Sequence, residues 1–124
     1  MSRISTDAVR QPLRELQNNR CFYCEKAIRE AAEVDHFIPW ARHPDNGIEN
    51  LVVADQRCNH DKRDFLAAGD HVPRWKVERF ERNTSGLAQI AERASWDRVC
   101  GELLILGKSV IRHTHDQDRQ KQLL

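Results

Sequence analysis

The sequence predicts a small α+β domain in which two short strands and one helix lie between mostly helical flanks. Residues 33–38 (EVDHFI) alternate in character like a strand and stop at Pro39, and a second short apolar run covers residues 51–54. Residues 57–67 then place apolar side chains at helical spacing. The central part of the chain is therefore predicted to run strand, loop, strand, helix.

A helix is predicted before this segment, over residues 6–19. Val9, Leu13 and Leu16 recur there at the spacing of one helical face. Pro12 complicates the prediction, because proline has no backbone N–H to donate. The helix therefore either starts at Pro12 or bends there.

A helical extension is predicted after the central segment, over about residues 72–115. One helix has Thr84 or Ser85 as its cap, and a second starts near Ser95 or Trp96. The apolar positions that define the two helices are Leu87, Ile90, Ala91 and Ala94 in the first and Val99, Leu103, Leu106 and Val110 in the second. Trp75, Phe80 and Trp96 are interpreted as core packing, and Cys100 as a small buried side chain of the second helix.

Composition limits the classes of protein that the chain can represent. Its 124 residues suit one domain spanning 1–124, and 31% of them are charged. The formal net charge is only +1, so the global charge gives no argument for nucleic acid, and such an argument must come from local clustering. The chain has no run of about 18 apolar residues and no apolar segment of a signal peptide at its start, so we expect a soluble, cytoplasmic protein with no membrane partner.

Cysteine spacing indicates a structural metal site. Cys21 and Cys24 form a C-x-x-C turn, which can present two thiolates to one metal. A redox site of the thioredoxin type needs a strand-to-helix setting, whereas this pair follows a helix and precedes a strand. Asp55 and Cys58 supply a second pair with one ligand altered, and carboxylate oxygen is an accepted zinc ligand. The alternatives for the fourth position are water, His60 or a lost site, and Asp55 could also cap the following helix.

Asp35 and His36 form a second candidate site. Adjacent residues of a strand point to opposite faces, so one of the two can hold a metal while the other approaches a substrate. A lone Asp-His pair is a weak signal. Asn50, just before the second strand, and Asn59, beside Cys58, strengthen it.

These motifs, in this order, resemble the zinc-containing form of the HNH endonuclease family. The resemblance covers about residues 15–67 and implies a ββα-metal (His-Me finger) core. The motifs that carry it are Cys21-x-x-Cys24, Asp35-His36-Phe37-Ile38-Pro39, Asn50-Leu51-Val52 and Cys58-Asn59-His60-Asp61-Lys62. Asp55 departs from the pattern, since many members have cysteine there.

The resemblance implies a role for each matched position. Asp35 and Asn59 would hold a catalytic divalent ion, His36 would be the general base, Asn50 would hold the loop and orient His36, and Cys21, Cys24 and Cys58 would bind structural zinc. One carboxylate and one amide oxygen suit a hard ion that keeps several waters, hence Mg²⁺ or Mn²⁺. Arg63 lies one helical turn after Asn59, where some relatives place a histidine ligand; an arginine cannot ligate, so Arg63 is instead a candidate phosphate contact.

A local cluster of basic residues, unlike the global charge, favours binding of nucleic acid. Arg42, Arg57, Lys62 and Arg63 are predicted to bind backbone phosphates around the site. The alternative is a solvated helix face, with acidic residues interspersed. We expect DNA as the partner, with RNA left open, and the sequence leaves the oligomeric state open, a dimer included.

The function that these observations favour is metal-dependent hydrolysis of DNA phosphodiester bonds by an HNH endonuclease. The alternative from another class is a zinc-knuckle module that binds nucleic acid without catalysis, but such a module has no need for Asp35, His36 and Asn59 together. A redox or metal-storage protein using Cys21 and Cys24 would leave the Asp-His segment unexplained.

Overall fold

The computed structural model describes residues 5–29, 31–40, 42–62 and 71–108, with the side chain of Lys62 outside the description. Arg63, the end of the helix predicted over 57–67 and the end of the extension predicted to reach 115 lie outside the described residues.

Two antiparallel strands and the helix after them form the centre of the molecule. Strand β1 covers Ala32–His36, strand β2 covers Leu51–Asp55, and Asp35 is opposite Val52 in the ladder. Helix α2, described over Gln56–Lys62, follows β2 directly. The predicted α+β class and its strand, loop, strand, helix order are confirmed.

The first strand is shorter than predicted. It ends at His36 because the backbone then bends, and the Asn50 side chain takes over the hydrogen bonds of Ile38. A short 3-10 turn, Ile48–Asn50, returns the chain to β2. The loop between the strands is therefore fixed at both ends, and so are the positions of the residues in it.

Helix α1, Asp7–Leu16, packs on this centre through Val9 and Leu13, and Pro12 lies inside it rather than at its start. The helix ends at Leu16, and Asn18 and Asn19 just after it adopt left-handed φ angles of 56° and 58°. Asparagine tolerates this conformation better than most residues. The Gln17 side chain then binds the backbone of Val53, with its Oε1 accepting from the N–H at 2.9 Å and its Nε2 donating to the carbonyl at 2.8 Å. The end of α1 is thereby fastened to β2.

The C-terminal extension begins with helix α3, His71–Val77, which continues through a π-helical turn, Glu78–Arg82. Helix α4 covers Thr84–Ala94, and its N-cap residue is Asn83, which makes no side-chain capping bond; the cap expected at Thr84 or Ser85 is wrong, since both residues lie inside the helix. Ser95 ends α4 with a left-handed φ of 50°.

The second helix predicted for the extension, α5, is described over residues 101–108, so its predicted start near Ser95 or Trp96 is wrong. Residues 96–100 have no regular secondary structure, because they bind the loop before β2: Asp97 O accepts from Ile48 N at 2.9 Å, and Val99 N donates to Glu49 Oε1 at 3.0 Å. These tertiary bonds override the local helical pattern.

The side chains of this region divide accordingly. Val99 and Leu103 are buried as predicted, whereas Leu106 is 41% exposed. Cys100 is exposed and outside the helix, so its interpretation as a buried helical side chain is also wrong.

The described elements share one apolar core. Trp75 is fully buried and packs between Phe37, with ring centroids 4.7 Å apart, and Phe80, at 5.3 Å. Trp96 is partly buried against the same core, which confirms the interpretation of these aromatics as packing residues. Within the described part of the chain, none of the helices combines the length and apolar character that a bilayer span requires.

Candidate functional site

The folded chain brings the two halves of the candidate zinc site together. The ligand atoms of Cys21, Cys24, Asp55 and Cys58 all lie within 4.8 Å of one another. The turn between the first two is closed by the N–H of Glu25, which donates to Cys21 O at 2.9 Å. Three sulfurs and one carboxylate oxygen are a donor set that zinc accepts, so the cluster fits a zinc knuckle.

Asp55 does two things that the sequence presented as alternatives. Its Oδ1 accepts the Cys58 N–H at 2.8 Å, which caps α2, and its Oδ2 lies 3.4 Å from Cys24 Sγ inside the cluster. The bond from Cys58 is the main reason that the pKa of Asp55 is lowered, so the carboxylate is charged and suited to a cation. His60, the other candidate, points instead to Glu33 at 3.6 Å.

The thiols themselves are held in an environment that favours their neutral form. Burial raises the pKa of Cys21 and of Cys58, and for Cys58 the charge of Cys21 adds to the effect. Zinc binds the thiolate form, so a bound divalent metal would have to displace these protons.

Asp35 lies on β1 next to this knuckle. The Tyr23 hydroxyl, from inside the Cys21–Cys24 turn, donates a hydrogen bond to Asp35 Oδ2. Burial, and then the charge of Asp35, raises the pKa of Tyr23 far above its ordinary value, so the phenol remains a proton donor. The knuckle and the candidate ion ligand are therefore in direct contact.

His36 has different neighbours from those of Asp35. Its Nε2 lies 2.9 Å from Asn46 Oδ1 in the loop, and its ring centroid is 5.6 Å from that of Trp40. An amide oxygen accepts hydrogen bonds, so this contact fits an imidazole that carries a hydrogen on Nε2.

Asn50 is fully buried and binds the loop rather than the imidazole. Its Oδ1 accepts from Ile38 N at 2.8 Å, and its Nδ2 donates to Ile38 O at 3.2 Å and to Asp45 O at 2.9 Å. These bonds tie the segment after His36 to the segment before Asn46. Asn50 thus holds the loop, while Asn46 is a loop side chain that contacts the His36 ring.

Asn59 faces β1 from helix α2. Its Nδ2 donates to Glu33 Oε2 at 2.7 Å. Glu33 is two residues before Asp35, and alternate residues of a strand share a face. Asn59 therefore lies against the face of β1 that carries Asp35.

Three residues of this site were missed by sequence reasoning: Tyr23, Glu33 and Asn46. Strand periodicity could have identified Glu33 as a neighbour of Asp35. Nothing in the sequence marks Tyr23 or Asn46, since their contacts lie 12 and 10 residues away across turns whose shape only folding decides.

The predicted phosphate-binding residues are only partly described. Arg42 and Arg57 are exposed. The side chain of Lys62 and all of Arg63 lie outside the described residues, so the basic cluster stays a prediction.

A protein-family model described as HNH endonuclease matches residues 21–68, which include the knuckle, both strands and α2. A search of curated proteins found no match. The family match and the knuckle geometry fall on the same segment, so residues 21–68 are similar to the HNH endonuclease family.

Proposed function

We propose that this protein is a metal-dependent endonuclease that hydrolyses DNA phosphodiester bonds, with His36 as the general base and with Asp35 and Asn59 holding Mg²⁺ or Mn²⁺. The observation that carries the proposal is the placement of Asn59 on α2 against the face of β1 that carries Asp35, with His36 next in the strand. The family match over residues 21–68 supports it.

The proposed work of His36 is to take a proton from the attacking water. Hydrolysis of a phosphodiester needs a deprotonated water in line with the bond that breaks. In this proposal Nδ1 accepts that proton, and the Asn46 Oδ1 atom 2.9 Å from Nε2 supports it. Help of this kind typically accelerates a reaction by about 10²–10⁴-fold.

The oxygen donors of Asp35 and Asn59 suit a hard divalent ion. Glu33 accepts from the NH₂ group of Asn59, so the carbonyl oxygen is the atom of that amide left to act as a ligand. When bound, the ion would stabilise negative charge on the phosphate and on the leaving oxygen.

Zinc held by Cys21, Cys24, Asp55 and Cys58 has a structural role in this proposal. All four positions are filled by protein, as expected for a site with no open coordination position. Contacts to DNA phosphates are assigned to Arg42, Arg57, Lys62 and Arg63, since a phosphodiester substrate must be held by groups of positive charge.

The test is cleavage of plasmid DNA with Mg²⁺, with EDTA added to a parallel sample. We expect His36→Ala to reduce the cleavage rate by about 10²-fold or more while leaving DNA affinity nearly intact, because the lost interaction exists only in the transition state. Asp35→Ala should also lose activity, but excess Mn²⁺ should partly restore it. Excess Mn²⁺ should not restore His36→Ala, because a metal ion cannot replace a proton acceptor.

His43→Ala is a matched control, since it removes a histidine from the same loop. It should cut at the wild-type rate. If folded His36→Ala, with normal zinc content, cuts as fast as the wild type, the assignment of His36 is wrong. If the wild type binds DNA but never cuts it, the protein is a nucleic-acid-binding module instead.

A further inference from the structure

Tyr23 occupies an unusual position between the two metal sites. It is the only tyrosine of the chain, it lies between the two cysteines of the knuckle turn, and its hydroxyl donates to Asp35 Oδ2. The turn on one side of it belongs to the zinc cluster, and the carboxylate on the other side belongs to the proposed catalytic ion.

The ring of Tyr23 is clamped by neighbours from three parts of the chain. Phe22 lies at a centroid distance of 5.5 Å, Phe37 at 6.4 Å and His71 at 5.4 Å. Only 9% of Tyr23 is exposed. A ring packed in this way has one orientation, so its hydroxyl presents a donor at a defined point.

The turn that carries Tyr23 is itself anchored. The N–H of Phe22 donates to Val53 O at 3.0 Å, which joins the knuckle to β2. Arg74 of α3 donates to Phe22 O, stacks over the Phe22 ring at 4.6 Å and pairs with Glu25 at 3.0 Å. The hydroxyl is thus positioned by the knuckle, the sheet and the C-terminal extension together.

From these contacts we propose that Tyr23 is a positioning residue that orients Asp35 for the catalytic divalent ion, so that the zinc knuckle and the ion site form one mechanical unit. The proposal rests on the proposed function, since that function assigns Asp35 to the ion. A carboxylate that ligates a metal is ordinarily held by a second hydrogen bond, and the loss of such a partner typically costs about 10–100-fold in metal affinity.

The first test measures ion binding without any nuclease assay. Mn²⁺ affinity is measured by electron paramagnetic resonance on zinc-loaded protein, with Asp35→Asn identifying the signal that belongs to this site. Tyr23→Phe keeps the ring and removes only the hydroxyl. We expect it to weaken Mn²⁺ binding by about 10-fold or more, with zinc content unchanged.

Trp75→Phe is the matched control, because Trp75 Nε1 also donates from a buried ring, to Glu49 O at 2.8 Å, away from Asp35. It should leave Mn²⁺ affinity unchanged. Equal Mn²⁺ affinities in wild type and Tyr23→Phe overturn the proposal. It is also overturned if the wild type binds no more Mn²⁺ than Asp35→Asn does.

A second measurement protects the test against a variant that fails to fold. Incorporated 3-fluorotyrosine labels Tyr23 alone, so the ¹⁹F spectrum has a single protein resonance. We expect Mg²⁺ to shift that resonance saturably, and Asp35→Asn to abolish the shift. A resonance that Mg²⁺ does not move overturns the proposal.

The two readouts separate this proposal from the proposed function. A wild type that binds Mn²⁺ and is weakened by Tyr23→Phe, yet never cuts DNA, supports the positioning role and refutes the nuclease. If the wild type cuts DNA and Tyr23→Phe has the same Mn²⁺ affinity as the wild type, the nuclease is supported and the positioning role is refuted.

Discussion

Replacement of Asn50 by alanine should destabilise the protein and disable the proposed active site at once. The side chain is fully buried, and its bonds reach Ile38 and Asp45 at opposite ends of the loop. Alanine removes three hydrogen bonds, each worth about 1 kcal/mol net, so the free energy of unfolding should fall by about 3 kcal/mol. The Ile38 N–H left without its acceptor adds to the loss, because Ile38 is buried.

The assay is urea unfolding followed by circular dichroism, together with the rate of plasmid cleavage. Asn46→Ala is the comparison, because it removes a single bond of a half-buried side chain. We expect Asn46→Ala to lose less than about 1 kcal/mol of stability while still reducing cleavage through the loss of its contact with His36. If Asn50→Ala changes the unfolding free energy by no more than Asn46→Ala, the loop is not held as argued here.

Other predictions concern the knuckle, a close approach and a buried charge. Asp55→Ser should retain the helix cap yet release zinc to a chelator faster than the wild type, whereas Asp55→Cys should hold zinc at least as well. Gly47→Ala should lower the melting temperature clearly, since an added Cβ would lie 2.1 Å from the backbone nitrogen of Val99; Gly86→Ala, which meets only a flexible side-chain end at 2.8 Å, should be nearly neutral. Burial lowers the pKa of Lys76 to about 8, against about 10.4 in an unfolded chain, so the unfolded state binds more protons and the free energy of unfolding rises with pH between these values. Lys76→Met should remove that rise, which is on the order of 3 kcal/mol. The measurement compares the free energies of unfolding at pH 7 and pH 10 for both proteins. If both proteins depend on pH in the same way, Lys76 is not buried as a titrating group.

Residues that act through local pattern were predictable from the sequence. The Asp35-His36 strand, the second strand and α2 follow from side-chain alternation and helical spacing, which depend only on near neighbours in the chain. The short spacing within each half, Cys21 to Cys24 and Asp55 to Cys58, indicated a metal cluster for a related reason, although the sequence left Asp55 as one of several candidates for the fourth position.

Contacts between distant segments required the tertiary structure. The non-helical path of residues 96–100 depends on Glu49, whose carboxylate is 4% exposed and binds Arg98 at 2.8 Å and the backbone of Val99. The helical pattern of the same residues did not indicate this path. The contacts with Glu49 prevail because burying that carboxylate without its partners would cost more than one turn of helix contributes.

The sequence by itself determined which residues have the chemistry: the thiols, the carboxylate and imidazole of Asp35-His36, and the amides of Asn50 and Asn59. Only the tertiary structure decided which side chains hold them in place. Tyr23 on Asp35 and Asn46 on His36 are contacts through space between groups on separate turns. Their distances depend on how the knuckle and the loop pack against β1, and that packing is a property of the whole core, which no local pattern in the chain encodes.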